Sequence, residues 1–206
     1  MERVIIQKLR RSLGDGLVKV PARVLGKAGI SPDMLTAAGL VLAVGVAWVL
    51  SEGRFFLGGF LVLLSGAFDL LDGAVARATG RSSRAGALLD SIFDRFGEAA
   101  VFMGLLAFYG NQGAFHELML VGAVLIGSMM TSYVKARAEG LGLKCDVGLF
   151  TRPERVILLA IGLIINQMLI VLWIMAVLTN FVAWQRLWHV YRRTGHDGGG
   201  NAAPGG

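Results

Sequence analysis

The sequence contains 206 residues, of which 55% are hydrophobic, and its mean hydropathy is +0.64. These values exceed those of soluble globular domains and indicate an integral membrane protein, so the net charge of +6 does not by itself point to a nucleic-acid partner. The single cysteine, Cys145, excludes an internal disulfide.

Residues 1–33 precede the first long apolar run and are rich in lysine and arginine. Apolar residues recur at helical spacing over Ile5–Leu17, and basic residues fill much of the remaining sequence. This pattern predicts a cytoplasmic amphipathic segment that lies on the membrane surface and is broken near Pro21. A cleavable signal peptide is not expected, because the first long apolar run starts only near Met34.

Residues 34–190 contain six apolar segments, each predicted to form a membrane-spanning helix. Ser31 and Pro32 suit the start of the first helix, as N-cap and first-turn proline. The fifth and sixth helices abut at Asn166, which requires a very tight turn. The predicted helices are Met34–Leu50, Phe55–Arg77, Ala85–Tyr109, Glu117–Ala138, Pro153–Asn166 and Met168–His189.

The expected fold is therefore an all-α integral membrane protein, with six transmembrane helices preceded by an N-terminal amphipathic juxtamembrane helix. The glycine-rich residues 191–206 are predicted to form a disordered cytoplasmic tail. With this arrangement, nineteen of the twenty Lys and Arg residues fall on one side of the membrane and only Arg54 on the other. Both termini are therefore predicted to be cytoplasmic. Trp184, Trp188 and Tyr191 suit an inner interfacial belt.

Four aspartates stand at the ends of two successive predicted helices. Asp69 and Asp72 share a face near the end of the second helix, and Asp90 and Asp94 share a face near the start of the third. Residues 78–85 join the two helices as an antiparallel hairpin. The four carboxylates are therefore expected to converge near the cytoplasmic membrane face.

Burying these acids without compensation is unfavourable, since one aspartate inside a membrane costs about 2.5–3.5 kcal/mol. Arg77 and Arg95 can neutralise part of the charge, and divalent cations can neutralise the rest. An all-oxygen ligand set favours magnesium, manganese or calcium over zinc. Gly73, Ala76 and Gly86 leave space beside the acids for a bulky phosphorylated ligand.

The pattern Asp69-x2-Asp72-Gly73-x2-Ala76-Arg77-x8-Gly86-x3-Asp90-x3-Asp94 resembles the signature of the CDP-alcohol phosphotransferases. The Ser-Pro-Asp-x2-Thr entry at Ser31–Thr36 and the six-helix outline are also similar. The resemblance implies a prokaryotic inner-membrane enzyme, a homodimer, in which an acceptor hydroxyl attacks the β-phosphorus of a CDP-linked lipid and releases CMP.

The resemblance also implies roles for individual residues. Asp69, Asp72, Asp90 and Asp94 would hold two Mg²⁺ or Mn²⁺ ions, and Asp94 would in addition be the general base. The residues expected to contact the CDP-lipid are Pro32, Asp33, Met34, Leu35, Gly73, Ala76, Arg77, Ser83 and Gly86.

A second, basic cluster bears on the acceptor. Ser132 and Lys135 share a helix face, and Arg155 and Arg186 have the potential to reach the same cavity. Several cations beside an acidic site suit an acceptor that carries a phosphate, although membrane topology alone also explains cytoplasmic Lys and Arg.

The Ser-Tyr-Val-Lys-Ala-Arg-Ala-Glu and Arg-Pro-Glu-Arg segments, and Gln185-Arg186, resemble bacterial phosphatidylinositol-phosphate synthases. Those enzymes join CDP-diacylglycerol to inositol 1-phosphate. By this resemblance the acceptor phosphate would be bound by Ser132, Lys135, Arg152, Arg155 and Arg186.

Three alternatives remain open from the sequence. Glycerol 3-phosphate is a second phosphorylated acceptor, and an archaeal ether lipid is a second donor. A divalent-cation transporter belongs to a different class, but transport requires polar residues to continue across the membrane. The third helix instead becomes apolar after Glu98. The sequence therefore favours an enzyme whose site opens at one membrane face.

Overall fold

The computed structural model describes Pro21, Val24, Gly29 and residues 31–79, 83–148 and 150–197. All regular structure in these ranges is α-helical, as the sequence predicts. The six helices are α1 (Pro32–Ser51), α2 (Phe55–Thr79), α3 (Arg84–Asn111), α4 (Phe115–Gly140), α5 (Arg152–Ile164) and α6 (Met168–Asp197). Most of the predicted amphipathic segment, residues 1–33, lies outside the described residues.

The predicted helix ends agree with the observed ends to within two residues, except at the end of α6. The Ser31 hydroxyl accepts a hydrogen bond from the Met34 amide at 3.2 Å and so caps α1 as expected. The turn between α5 and α6 is as tight as predicted. Asn166 adopts a φ of 56°, and the Gln167 amide donates to the Gly162 carbonyl at 2.9 Å, which closes the end of α5.

Helix α6 is longer than predicted, because it continues beyond His189 to Asp197. The apolar pattern that predicts the membrane span stops before these last turns. A helix outside a membrane does not need apolar residues, so its end is not visible in that pattern. The Thr194 hydroxyl donates to the Tyr191 carbonyl at 2.9 Å within this extension. The first seven residues of the predicted tail are therefore helical, and residues 198–206 lie outside the described part of the chain.

Within the described residues four helices, α1, α2, α4 and α6, are long and apolar enough to cross a membrane, which makes this a multi-pass membrane protein. Helix α3 has 28 residues, but its first half carries several charged side chains. Helix α5 has only 13 residues, which corresponds to about 20 Å, against about 30 Å of hydrocarbon. Large apolar side chains such as Val41, Trp48 and Phe181 are exposed, as expected for helices that face lipid.

The chain divides into two compact units, Met1–Gly104 and Leu105–Gly206. In the first unit, α1 packs against α2, and Val46 and Leu50 are fully buried. Glycines on α3 allow a close approach to α1. A Cβ atom at Gly97 would lie 3.3 Å from the Ala43 Cβ, and one at Gly104 would lie 2.7 Å from the Ala47 Cα.

In the second unit, α6 packs along α4 and α5. A Cβ atom at Gly127 of α4 would clash with the Thr179 side chain of α6, and the Asn180 amide donates to the Ala123 carbonyl at 3.1 Å. Gly162 of α5 similarly allows Val171 of α6 to approach. Small residues therefore set the helix spacing in both units.

Replacing Gly104 by alanine is expected to destabilise the first unit, because the new Cβ would overlap the backbone of Ala47. Overpacking of this kind costs about 1–3 kcal/mol. We expect the midpoint of thermal unfolding in detergent to fall. Gly122→Ala is the matched control, since nothing lies within 4 Å of a Cβ at that helical position. Equal midpoints for the two variants would contradict the packing described here.

Candidate active site

A cleft of about 210 Å³ opens in the first unit, where the start of α1, the end of α2 and the start of α3 come together. It lies at one end of the α2–α3 hairpin, as the aspartate pattern predicts. Its lining is both acidic and basic. The lining residues are Pro32, Asp33, Thr36, Asp72, Gly73, Ala76, Arg77, Ser83, Gly86, Ala87 and Asp90.

Most residues predicted to contact a CDP-lipid border this cleft. Seven of the nine are in the lining, and two from the first turn of α1 are not. Met34 is 61% exposed, and Leu35 is buried in a small apolar cluster with Val75. Leu35 therefore packs α1 against α2 in this structure, whereas Met34 is not part of the apolar cluster.

Asp72 is the most deeply buried acid of the cleft, with only 4% of its surface exposed. Its Oδ2 accepts a hydrogen bond from the Thr36 hydroxyl at 3.1 Å, and its Oδ1 accepts one from the Gly73 amide. The Thr36 Oγ1 also lies 3.1 Å from the Pro32 carbonyl oxygen. Because a buried carboxylate needs such donors, Thr36 fixes both the orientation of Asp72 and the start of α1.

The other three acids, Asp69, Asp90 and Asp94, are each half-buried. Asp90 lines the cleft, and both Asp90 and Asp94 are close enough to Asp72 for their charges to repel its charge. An Asp94 oxygen lies 3.7 Å from the Arg95 guanidinium. Asp69 packs toward α1, where its Oδ1 lies 3.7 Å from the position of a Cβ on Gly39.

The carboxylates of Asp72, Asp90 and Asp94 are thus close together, but their arrangement is not that of a metal coordination shell. Within the described ranges, no three His, Cys, Asp or Glu side chains are arranged to hold a single metal ion. The donor set still fits a hard divalent cation. It is all oxygen, it includes the buried Asp72, and the mutual repulsion of its members favours binding of positive charge.

Two glycines of the cleft allow polar side chains to approach the backbone. A Cβ at Gly73 would lie 3.3 Å from Nη1 of Arg77, and a Cβ at Gly86 would lie 3.2 Å from Oδ1 of Asp33. Ser83 caps α3 by accepting a hydrogen bond from the Gly86 amide at 2.8 Å. The cleft therefore combines a guanidinium and a helix N-terminus, both of which bind phosphate.

The second unit contains a pair of buried arginines. Arg155 is 4% exposed and Arg186 is 9% exposed, and the two are close enough for their charges to repel. Arg186 donates from Nε to the Val147 carbonyl at 2.9 Å and from Nη1 to the Thr131 carbonyl at 2.7 Å. Two buried guanidiniums this close together, with Arg186 oriented by backbone carbonyls, form a site suited to an anion.

The remaining residues predicted for the acceptor phosphate are more exposed. Lys135 pairs with Glu139, and its Nζ lies 3.8 Å from the Glu139 Oε1. Ser132 and Arg152 are half-buried, and Arg152 opens α5 next to the cap formed by Thr151. The structure thus brings Arg155 and Arg186 together and leaves Lys135 on an exposed helix face.

Sequence reasoning missed the residues that hold Arg186 in place. Val147 and Thr131 act through backbone carbonyls, which no side-chain pattern reveals. Gly148 adopts a φ of 106°, and a Cβ there would lie 2.7 Å from a Val182 methyl and 3.3 Å from the Arg186 Nε. The only sequence signal is a glycine in a short loop, which is typical of many turns.

The sequence profile of the CDP-alcohol phosphatidyltransferases matches residues 29–188, which include the acidic cleft and the buried arginines. The chain belongs to the CDP-alcohol phosphatidyltransferase family and is therefore a transferase, not a cation transporter.

Among its relatives is the phosphatidylinositol phosphate synthase of Mycobacteroides abscessus, which is 39% identical over 175 residues, or 81% of this chain and 80% of the relative. The structure also resembles the phosphatidylinositol phosphate synthase of Mycobacterium tuberculosis with CDP-DAG bound. That match has a TM-score of 0.79 at 34% identity and covers 84% of this chain and 93% of the other. A second structure of that enzyme, in complex with manganese and citrate, matches with a TM-score of 0.77 at 34% identity. This match covers 84% of this chain and 88% of the other.

Thr36→Val is expected to lower activity, because the carboxylate of Asp72 loses its side-chain donor. A hydrogen bond to a charged group that also orients a metal ligand is worth about 10- to 100-fold in activity. We expect kcat/KM for CMP release to fall by that factor and the half-saturating Mn²⁺ concentration to rise. Thr36→Ser keeps the hydroxyl and should stay near wild type. Indistinguishable Val and Ser variants would contradict this role.

Gly148→Ala is expected to displace Arg186, because the new Cβ would crowd both Val182 and the guanidinium. We expect the KM for the acceptor alcohol to rise about 10-fold or more, since one misplaced charge-assisted contact costs about 1.5–3 kcal/mol. Gly142→Ala is the matched control. Its φ is also positive, at 75°, but nothing lies within 4 Å of its Cβ position. An equal change in KM in both variants would show that backbone strain alone is responsible.

Proposed function

We propose that this enzyme transfers the phosphatidyl group of CDP-diacylglycerol to inositol 1-phosphate and releases CMP. The buried Arg155–Arg186 pair is the observation that carries the choice of acceptor. A phosphate-bearing acceptor places negative charge beside both guanidiniums, which an uncharged acceptor such as inositol or serine does not. The relatives named phosphatidylinositol phosphate synthase support inositol 1-phosphate over other phosphorylated alcohols.

The donor is proposed to bind in the acidic cleft. Arg77 contacts its phosphates, and Ser83, Gly86 and Gly73 provide close approach to the backbone at the start of α3 and the end of α2. The remaining proposed contacts come from Pro32, Asp33, Met34, Leu35 and Ala76. The relative with CDP-DAG bound supports this kind of donor.

Asp69, Asp72, Asp90 and Asp94 are proposed to hold two divalent cations, Mg²⁺ or Mn²⁺. When bound, such ions neutralise a pyrophosphate and stabilise the leaving phosphate. Thr36 and the Gly73 amide keep the Asp72 carboxylate oriented toward the cleft. The relative in complex with manganese supports a divalent cation.

Asp94 is proposed as the general base. Its carboxylate accepts the proton of the acceptor hydroxyl while the hydroxyl oxygen forms a bond to the β-phosphorus. The bond between that phosphorus and the oxygen bridging to the CMP phosphate breaks, and CMP leaves. Arg155 and Arg186 hold the acceptor's own phosphate, with Ser132, Lys135 and Arg152 completing the proposed binding set.

We further propose that all six helices span a prokaryotic inner membrane, with the active site and both termini cytoplasmic and residues 1–33 forming the amphipathic juxtamembrane segment. Exposed Trp184, Trp188 and Tyr191 at the end of α6 support an interfacial belt there. The short α5 then requires local thinning of the bilayer or burial of its ends in protein. A homodimer is proposed from the family resemblance alone.

The test is CMP release by the purified protein with CDP-diacylglycerol and Mg²⁺ or Mn²⁺. Inositol 1-phosphate, glycerol 3-phosphate, inositol and serine are offered separately as acceptors. We expect release with inositol 1-phosphate and a loss of about 10³-fold or more in Asp94→Asn, since a general base contributes about 10²–10⁴-fold. Asp146→Asn, at an exposed loop acid outside the proposed site, is the control.

The acceptors separate the possible results. Preference for glycerol 3-phosphate would contradict the proposed acceptor and retain the class of reaction. Equal release with uncharged inositol would contradict the role of the arginine pair. Full activity in Asp94→Asn would remove this aspartate as the base.

A further inference from the structure

A second cavity lies in the Leu105–Gly206 unit, apart from the residues assigned to catalysis. It is an open groove of about 750 Å³ between the 143–147 loop and the last turns of α6. We call it the α6 groove. Its lining residues are Leu143, Val147, Gln185, Trp188, His189, Arg192 and Arg193.

The basic side chains of the α6 groove are held in place by their neighbours. The Arg192 guanidinium carbon lies 4.8 Å from the centre of the Trp188 ring, and Trp188 in turn stacks on Tyr191. Arg193 donates from Nη1 to the Lys144 carbonyl at 3.4 Å. Both guanidiniums border the groove and each is restrained by one contact, which lowers the entropic cost of binding an anion.

The surrounding charges leave this positive potential largely uncompensated. The described lining residues include no Asp or Glu. Asp146 is in the same loop but is exposed and not in the lining, and Glu139 pairs with Lys135. Leu143, Val147 and the Trp188 ring add an apolar wall. The groove therefore offers two guanidiniums, an imidazole and an apolar surface to a ligand that is anionic at one end and apolar at the other.

The depth of the groove relative to the bilayer follows from the length of α6. A helix crosses about 30 Å of hydrocarbon in about 20 residues, so a span that begins at Met168 reaches the opposite surface near Trp188. Arg192 and Arg193 then lie among the lipid headgroups, one turn further along. Trp and Tyr side chains prefer this interface.

We propose that the α6 groove binds the headgroup of an anionic phospholipid of the surrounding bilayer, with the phosphodiester at Arg192 and Arg193 and the glycerol region against Leu143 and Val147. A zwitterionic lipid binds less well, because the described lining has no carboxylate to pair with its ammonium group. The Val147 carbonyl also orients Arg186, so the groove adjoins the loop that supports the proposed acceptor site. The lipid site itself does not depend on the proposed reaction.

The test is native mass spectrometry of the full chain in detergent, titrated with phosphatidylglycerol or phosphatidylcholine. We expect wild type to retain phosphatidylglycerol at least about 10-fold more tightly than phosphatidylcholine, as two interfacial cations predict. R192Q/R193Q should lose this preference. R192K/R193K should keep most of it, because the two positive charges remain, and all variants should show the same thermal unfolding midpoint in detergent.

R54Q/R137Q removes the same number of charges outside the groove and is the matched control. We expect it to retain phosphatidylglycerol like wild type. Equal retention of the two lipids by wild type, or unchanged retention in R192Q/R193Q, would overturn the proposal. Displacement of phosphatidylglycerol by millimolar inorganic phosphate would also overturn it, and would assign the groove to a soluble phosphate.

Discussion

The buried carboxylate of Asp72 imposes the constraint on which the rest of the cleft depends. A charge placed at the end of a membrane helix must be given hydrogen-bond donors and a counter-charge, or it destabilises the fold by several kcal/mol. The donors come from Thr36 of α1 and the backbone of Gly73. The same contacts fix where α1 begins, so Pro32 and Asp33 are carried to the edge of the cleft. Satisfying one carboxylate thus assembles a phosphate-binding surface.

The two units contain buried charges of opposite sign. The first concentrates acids, and these repel one another until cations bind. The second buries Arg155 and Arg186 close enough for their positive charges to repel, which favours binding of an anion. Charges of one sign gathered in this way favour binding of a ligand of the opposite sign. The repulsion within each cluster therefore supports the cations and the phosphorylated acceptor that we propose as ligands.

Close helix packing supports both clusters. Glycines at 97 and 104 bring α3 against α1, and Gly127 and Gly162 bring α6 against α4 and α5. Lipid offers no hydrophobic driving force between helices, so shape-matched contacts of this kind must supply the packing energy. They also set the position of α6, whose end carries Arg186 into the buried site and Arg192 and Arg193 to the exposed groove.

Much of the fold was predictable, because apolar runs and their interruptions mark membrane helices directly. The tight turn at Asn166 followed from the absence of residues between two such runs. The end of α6 was not predicted, since hydropathy does not indicate where a helix ends once it continues beyond its apolar residues. The six predicted spans exceed the four helices of the described residues that are long and apolar enough, because α5 is short and α3 is charged.

The site was predictable where it depends on side chains at fixed spacing, as for Asp72, Asp90 and Arg77 around the cleft. It was not predictable where it depends on tertiary contacts. Thr36 reaches an acid 36 positions away, and Arg186 is held by two carbonyls from distant segments. In the sequence, Arg192 and Arg193 indicate only the orientation of the chain in the membrane. Their groove is visible only in the structure, where the 143–147 loop borders it as well.

Equilibrium binding of Mn²⁺, followed by electron paramagnetic resonance without any substrate, tests whether the acids of α2 and α3 form a divalent-cation site. We expect wild type to bind about two ions per chain and Asp72→Asn, which replaces the buried carboxylate by an isosteric amide, to bind at least about 10-fold more weakly. Asp146→Asn should bind like wild type. Unchanged Mn²⁺ binding in Asp72→Asn would contradict the account, because the most buried acid of the cleft would then have no part in holding the metal.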